Sequence, residues 1–174
     1  MSNIRNHLSK CRQTTILYQY DQRKLMPNLV KETRHFGIVV EDIQKSLHFY
    51  GDLLGLQIMR EMDESGNYID NMLKLPGVKV KTVKLSTPVG VTLVELLEFK
   101  SHKEKKTLRK IYDIGASHIA FTVEDIEKCY EILSKNGIEF NAPPQNSPDG
   151  YAKITFCKDP DGTPVELVQV IDNK

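Results

Sequence analysis

Long apolar runs are missing from this chain of 174 residues. None approaches the roughly 20 residues that a bilayer-spanning helix requires, which excludes a transmembrane anchor. Charge of one sign is missing too. Twenty-four Lys plus Arg stand against 23 Asp plus Glu, a formal net charge of +1, so no global field recommends nucleic acid or an anionic membrane as partner. Cysteine is scarce: Cys11, Cys129 and Cys157 are an odd number without CxxC spacing, which suits neither a disulfide framework nor a zinc ribbon. They read as reduced thiols, with Cys129 on a predicted helix and Cys157 on a predicted strand as small packing residues. The first 25 residues carry Arg5, Lys10, Arg12, Arg23 and Lys24, but no apolar core or small-residue cleavage site follows, so a cytoplasmic home is expected. With 40% hydrophobic residues, the chain has material for one ordinary core, built as one domain or as two small coupled halves.

What the chain does have is an internal repeat. His35-Phe-Gly-Ile-Val-Val-Glu-Asp-Ile-Gln-Lys45 lies over His118-Ile-Ala-Phe-Thr-Val-Glu-Asp-Ile-Glu-Lys128 at an offset of 83, with six of eleven positions identical. Thr92-Leu-Val-Glu-Leu96 lies over Thr163-Pro-Val-Glu-Leu167 at an offset of 71, which keeps the glutamate in register. The first copy is therefore twelve residues longer between its motifs. In each copy a β-branched and aromatic segment (35–40, 118–123) reads as a strand. An aspartate N-cap follows (Asp42, Asp125), then a helical stripe: Ile43, Leu47, Tyr50 and Leu54 in one copy, Ile126, Tyr130 and Leu133 in the other. Gly55 and Asn136-Gly137 end the helices. Strands are then expected at 57–61, 78–85 and 91–99 in the first copy. In the second they are expected at 138–140, 152–157 and 164–170, the last two joined by the turn Asp159-Pro-Asp-Gly162. Each copy is thus one βαβββ unit. A lone unit leaves half its sheet uncovered, so two should pack around a shared cleft.

Strand parity picks out four residues. His35 shares a face with Gly37 and Val39, and His118 with Ala120 and Thr122, while the bulkier residues between them point the other way onto the helix. The histidine face, thinned by Gly37 and Ala120, is left to line a cavity. Glu95 lies beside Leu93 and Leu97, and Glu166 beside Val168. A carboxylate among such neighbours costs several kcal/mol unless it is paired or bound to a cation. Taken singly, each histidine reads as a satisfied strand residue and each glutamate as an edge-strand residue facing water. The recurrence of both types at equivalent places argues instead for one metal centre made by pseudo-twofold packing. Two imidazoles and two carboxylates suit zinc, nickel, cobalt, manganese or iron(II).

These residues resemble the vicinal oxygen chelate superfamily, which includes glyoxalase I, methylmalonyl-CoA epimerase, extradiol dioxygenases, and fosfomycin and bleomycin resistance proteins. The resemblance covers roughly residues 32–170. Its carriers are His35-Phe-Gly-Ile-Val-Val, the helix end Phe49-Tyr50 with Leu53-Leu54-Gly55-Leu56, Val94-Glu95-Leu96, His118-Ile-Ala-Phe with Val123-Glu124-Asp125, and Asp159-Pro-Asp-Gly162 leading to Val165-Glu166-Leu167. It implies an α+β fold in which paired βαβββ modules form a cup-shaped mixed sheet around one divalent ion that chelates vicinal oxygens of a small-molecule substrate. The modules would be about 32–99 and 117–172, with a basic linker at 100–116. Residues 1–31 fall outside the match and are expected to be a disordered or partner-contacting appendage. A homodimer is the expected assembly.

The ligand pattern ranks the activities within this resemblance. Glyoxalase I-like enzymes use a His and a Glu from each module, which corresponds to His35, Glu95, His118 and Glu166. Extradiol dioxygenases need only His35, His118 and Glu166. Epimerases commonly place Gln near position 95 and a His-His doublet where this chain has Ser117-His118. The expectation is a metal-dependent lyase or isomerase that moves a proton next to a carbonyl through a metal-bound enediolate, with Glu166 as base and Glu95 second. A ring-cleaving dioxygenase or epimerase is the alternative enzyme, and a non-catalytic antibiotic-binding protein is the alternative from another class. The linker's Lys100, Lys103, Lys105, Lys106, Arg109 and Lys110 read as a solvated run, or as a seat for glutathione carboxylates or a CoA phosphate. The insertion 68–77 is expected to form a short helix over the cleft, with Met72 and Leu73 as pocket walls or as ordinary packing.

Overall fold

The structure, a computed structural model, describes residues 29–107 and 110–171. The stretch before 29 lies outside the described residues, and with it Cys11 and most of the expected N-terminal appendage; so does Arg109 of the linker. The described residues from Thr33 onward belong to one compact unit.

The first module runs β1 (His35–Val39), α1 (Ile43–Leu47), β2 (Gln57–Ser65), α2 (Asn67–Leu73), β3 (Lys79–Ser86) and β4 (Leu93–Phe99). Its sheet has the order β1-β4-β3-β2, parallel between β1 and β4 and antiparallel elsewhere. The second module runs β5 (Ile119–Thr122), α3 (Ile126–Lys135), β6 (Gln145–Asn146), β7 (Ala152–Lys158) and β8 (Pro164–Val170), in the matching order β5-β8-β7-β6. The paired mixed sheets expected from the repeat are present, as two four-stranded sheets and without a closed barrel. Among the described residues no helix is long and apolar enough to cross a membrane.

Local chemistry accounts for the helices. Asp42 caps α1 by accepting hydrogen bonds from the N–H groups of Gln44 and Lys45, and Asp125 caps α3 by accepting from Lys128 N–H. The first helix continues beyond Leu47 as a π-helix over His48–Leu53. Adjacent Phe49 and Tyr50 cannot both sit on a narrow 3.6-residue stripe, and the wider turn buries both, ring edge to ring face at 4.9 Å.

Two expectations need correction. The strand expected at 138–140 is absent; Phe140 makes only an isolated bridge to Cys157. Pro143 and Pro144, which lack N–H donors, follow at once, so pairing resumes only at β6. The strand expected at 57–61 runs on to Ser65, where it delivers the chain to α2.

The main core determines where the functional faces point. Ile38, Val40, Ile43, Phe49, Tyr50, Leu85 and Leu96 from the first module cluster with Ile126, Leu133, Cys157, Val165 and Leu167 from the second. The modules thus share the face that carries their helices. Two polar contacts lock this seam: Tyr50 donates its hydroxyl to Asp159 Oδ2 at 3.0 Å, and Glu41 N–H donates to Asp161 Oδ2 at 3.1 Å. Burial, aided by the Asp159 charge, pushes the Tyr50 phenol pKa up, and burial raises that of Asp159 as well.

Candidate metal centre

The parallel register of β1 on β4 sets Gly37 opposite Glu95. His35, two residues before Gly37, therefore shares a sheet face with Glu95, and its Nε2 reaches Glu95 Oε2 at 3.1 Å. Gly37 matters here because a Cβ would sit 3.9 Å from that same oxygen and 3.3 Å from a Leu97 methyl. The second module repeats the arrangement with Ala120 opposite Glu166 on β8. His118, the residue before β5, places Nε2 3.1 Å from Glu166 Oε2.

The four expected ligands thus appear as two pairs of equal geometry. Within one chain they do not meet: among the described residues no group of three or more His, Cys, Asp or Glu is placed to hold a metal ion. The repeat leaves open whether the four meet within one chain or across a dimer, and the core bears on that choice. Ile38 and Val40, of opposite parity to His35, and Val165 and Leu167, of opposite parity to Glu166, are the residues the modules bury between them. The faces with the His–Glu pairs look away from that seam, and Val39, beside His35 in parity, stays 63% exposed.

Each pair suits a divalent ion as donor set. Two adjacent ligands of one ion, each bonded at about 2.1 Å, stand roughly 3 Å apart, which is the spacing of both N–O pairs. His35 Nδ1 is buried and has no hydrogen-bond partner among the described residues. If Nε2 carries the proton toward Glu95, Nδ1 is a buried, unused acceptor; if Nδ1 carries it, the Nε2 lone pair faces a carboxylate. A cation between Nε2 and Oε2 relieves the second arrangement. In the other pair Ser117 Oγ lies 2.7 Å from His118 Nδ1. A serine oxygen accepting there leaves the Nε2 lone pair pointing at the site, the usual way a neighbouring group orients a ligating histidine.

One neighbour escaped the sequence reading. Lys84 on β3 pairs in register with Glu95 and sets Nζ 3.1 Å from Oε1. Strand alternation carried the signal: Val83 and Leu85 are buried, so Lys84 between them must lie on the face of Glu95. The linker lysines Lys103, Lys105, Lys106 and Lys110 border a cavity of about 1000 Å³ that His118 also lines. The insertion does form a helix, α2, but Met72 and Leu73 stand outside that cavity, and Leu75 lines it instead.

Paired βαβββ modules, each with a His–Glu pair on its open face, define the class of two-module fold to which the structure belongs. The family model of the Glyoxalase/Bleomycin resistance protein/Dioxygenase superfamily matches residues 33–167, and the chain belongs to that family. It is 31% identical to the uncharacterized protein YwkD of Bacillus subtilis, over 81% of this chain and 98% of that one. It is 30% identical to a probable lactoylglutathione lyase of Synechocystis, over 80% of this chain and 96% of the relative. Among solved structures, a glyoxalase family protein from Bacillus cereus superposes with a TM-score of 0.75 at 20% identity, covering 85% of this chain and 99% of the other, which speaks to the fold alone.

Proposed function

We propose that the chain is a metal-dependent, glyoxalase I-like lyase or isomerase that moves a proton next to a carbonyl. The observation that carries this reading is the His–Glu pair repeated at 3.1 Å in both modules. A complete centre needs both pairs, and the pairs lie on faces turned from the shared core. We therefore place the centre between two copies: His35 and Glu95 of one chain face His118 and Glu166 of the partner subunit. β1 and β5 stand at sheet edges next to these faces, with one side of each strand available for pairing. A divalent ion held there would polarise a carbonyl and stabilise negative charge developing on its oxygen.

The protein's own part is positioning and proton transfer. His35 and His118 orient the substrate oxygens by fixing the site against their strands, and Glu166 takes the proton from carbon and returns it to the neighbouring carbon. Phe156 lies edge to face with His118, ring centroids 5.4 Å apart, and helps to keep water from that side. In this reading residues 32–172 form the catalytic domain, with an extension before it, and the substrate is a small molecule with vicinal oxygens. Elemental analysis of protein purified without chelator, with a turnover screen over methylglyoxal plus thiols, methylmalonyl-CoA and catechols, tests the reading. The expected result is about one divalent ion per chain and turnover of the first class. Glu166→Gln should keep the ion and lose at least about a hundredfold in rate, the usual scale for a proton-transferring group. Protein that takes up no metal, even on reconstitution, sinks the proposal.

A further inference from the structure

The two pairs match in geometry but not in surroundings. Glu95 is held at both oxygens, by His35 Nε2 at Oε2 and by Lys84 Nζ at Oε1, each at 3.1 Å. Glu166 is held by His118 at Oε2 only, and no ion pair or hydrogen bond among the described residues engages its Oε1. The residue in register with Glu166 on the neighbouring strand, where the first module has Lys84, is Phe156. Lys84 and Glu95 are 19% and 13% exposed at their side chains, so this contact is shielded well beyond a typical surface ion pair.

We propose that Lys84 is a positioning residue that pins Oε1 of Glu95, so that Glu95 serves as a fixed, single-oxygen ligand and Glu166 is the carboxylate free to loosen and move the proton. The inference rests on the metal centre proposed above and breaks its pseudosymmetry with one ammonium group. A carboxylate whose Oε1 accepts from a lysine is biased toward offering an ion its other oxygen, because the ammonium draws one lone pair of Oε1 and fixes the plane of the group. A carboxylate facing a phenyl ring meets no such restraint. The same ammonium, one carboxylate away from the ion, opposes cation binding by Coulomb repulsion.

Cobalt(II) serves as a probe that needs no substrate, because its visible d–d bands weaken as coordination number rises. In the full chain loaded with Co(II), Lys84→Met and Lys84→Gln are expected to weaken the bands, as Glu95 turns to offer both oxygens. Loss of the nearby positive charge should also tighten Co(II) binding roughly tenfold. Lys84→Arg, which restores the cation, should return both values toward the wild type. Arg60→Met removes the cation in register with Lys84 on β2 and should leave the bands where they are. Bands unchanged in both Lys84→Met and Lys84→Gln would overturn the inference while leaving the metal centre standing. Wild-type protein that binds no cobalt would remove the centre itself. A purely structural lysine would lower the melting temperature without changing the bands.

Discussion

At the scale of single residues, the seam between the modules holds two protons more tightly than water would. The Tyr50 phenol lies fully buried against Asp159 and is pushed up from its ordinary 10.0. Burial pushes the Cys157 thiol from 9.0 up to about 12. The sign of the consequence follows from proton counting. Above pH 9 the unfolded chain releases the thiol proton and above pH 10 the phenol proton, while the folded chain keeps both. The unfolded state then binds fewer protons, so stability falls as pH rises. Each group adds a slope of up to about 1.4 kcal/mol per pH unit within its window. Urea unfolding under reducing conditions between pH 8 and 10.5 should show wild-type stability declining through this range. Cys157→Ala should flatten the decline between pH 9 and 10, and Tyr50→Phe the part above 10. Equal slopes in all three proteins would contradict this account.

At the scale of elements, α2 is the clearest departure of one repeat from the other. It fills most of the twelve extra residues of the first copy and buries Ile69 against Val78 and Val80, a cluster against which Leu97 and Phe99 also pack. Leu97 shares a face with Glu95, so the helix buttresses the sheet that carries the first His–Glu pair. Asp70 ties the return by accepting from the N–H groups of Gly77 and Val78 at 2.7 and 2.8 Å. The helix ends at Lys74, which adopts left-handed backbone angles with φ of 53°. A lysine there bears a steric penalty that glycine does not. Lys74→Gly is expected to stabilise the chain by about 0.5–1 kcal/mol, read as a higher urea midpoint at unchanged slope. A lower midpoint would mean that the lysine side chain contributes more than its backbone strain costs.

Much of this was legible from residues alone, and the reasons differ by feature. His35, His118, Glu95 and Glu166 stood out as candidates because repetition converts four weak signals into one, and parity then sets each on the thin face of a strand. The π-helical turn was not legible, since Ile43, Leu47, Tyr50 and Leu54 satisfy a helical stripe whether or not the turn widens. The strand expected at 138–140 failed because Ile138 and Phe140 are apolar to fill the core rather than to pair. Lys84 was missed because a charge inside an apolar strand reads as an outward-facing solvent contact until its neighbour across the sheet is known. Repetition says that two modules pair, but not which of their faces meet within one chain.

At the scale of the whole molecule, that choice of face decides what a functional unit is. On the proposed arrangement, a core that joins the helix-bearing faces leaves two half-sites per chain, and two chains would supply two complete centres between them. Subunit mixing tests this without knowledge of the substrate. The double variant His35→Ala/Glu95→Ala keeps only the second pair, and His118→Ala/Glu166→Ala keeps only the first. Each alone should bind cobalt(II) at least about a hundredfold more weakly than the wild type, because every ion loses two of four ligands. When the variants are unfolded together and refolded as a mixture, mixed dimers gain one centre with all four ligands and one with none. Equal mixing makes half of all dimers mixed, so tight cobalt sites should return at one per four chains. If each chain instead closed its own centre, the mixture would bind no better than its parts. A return of tight sites in proportion to the mixed-dimer fraction would establish that the pairs meet only across the interface between copies.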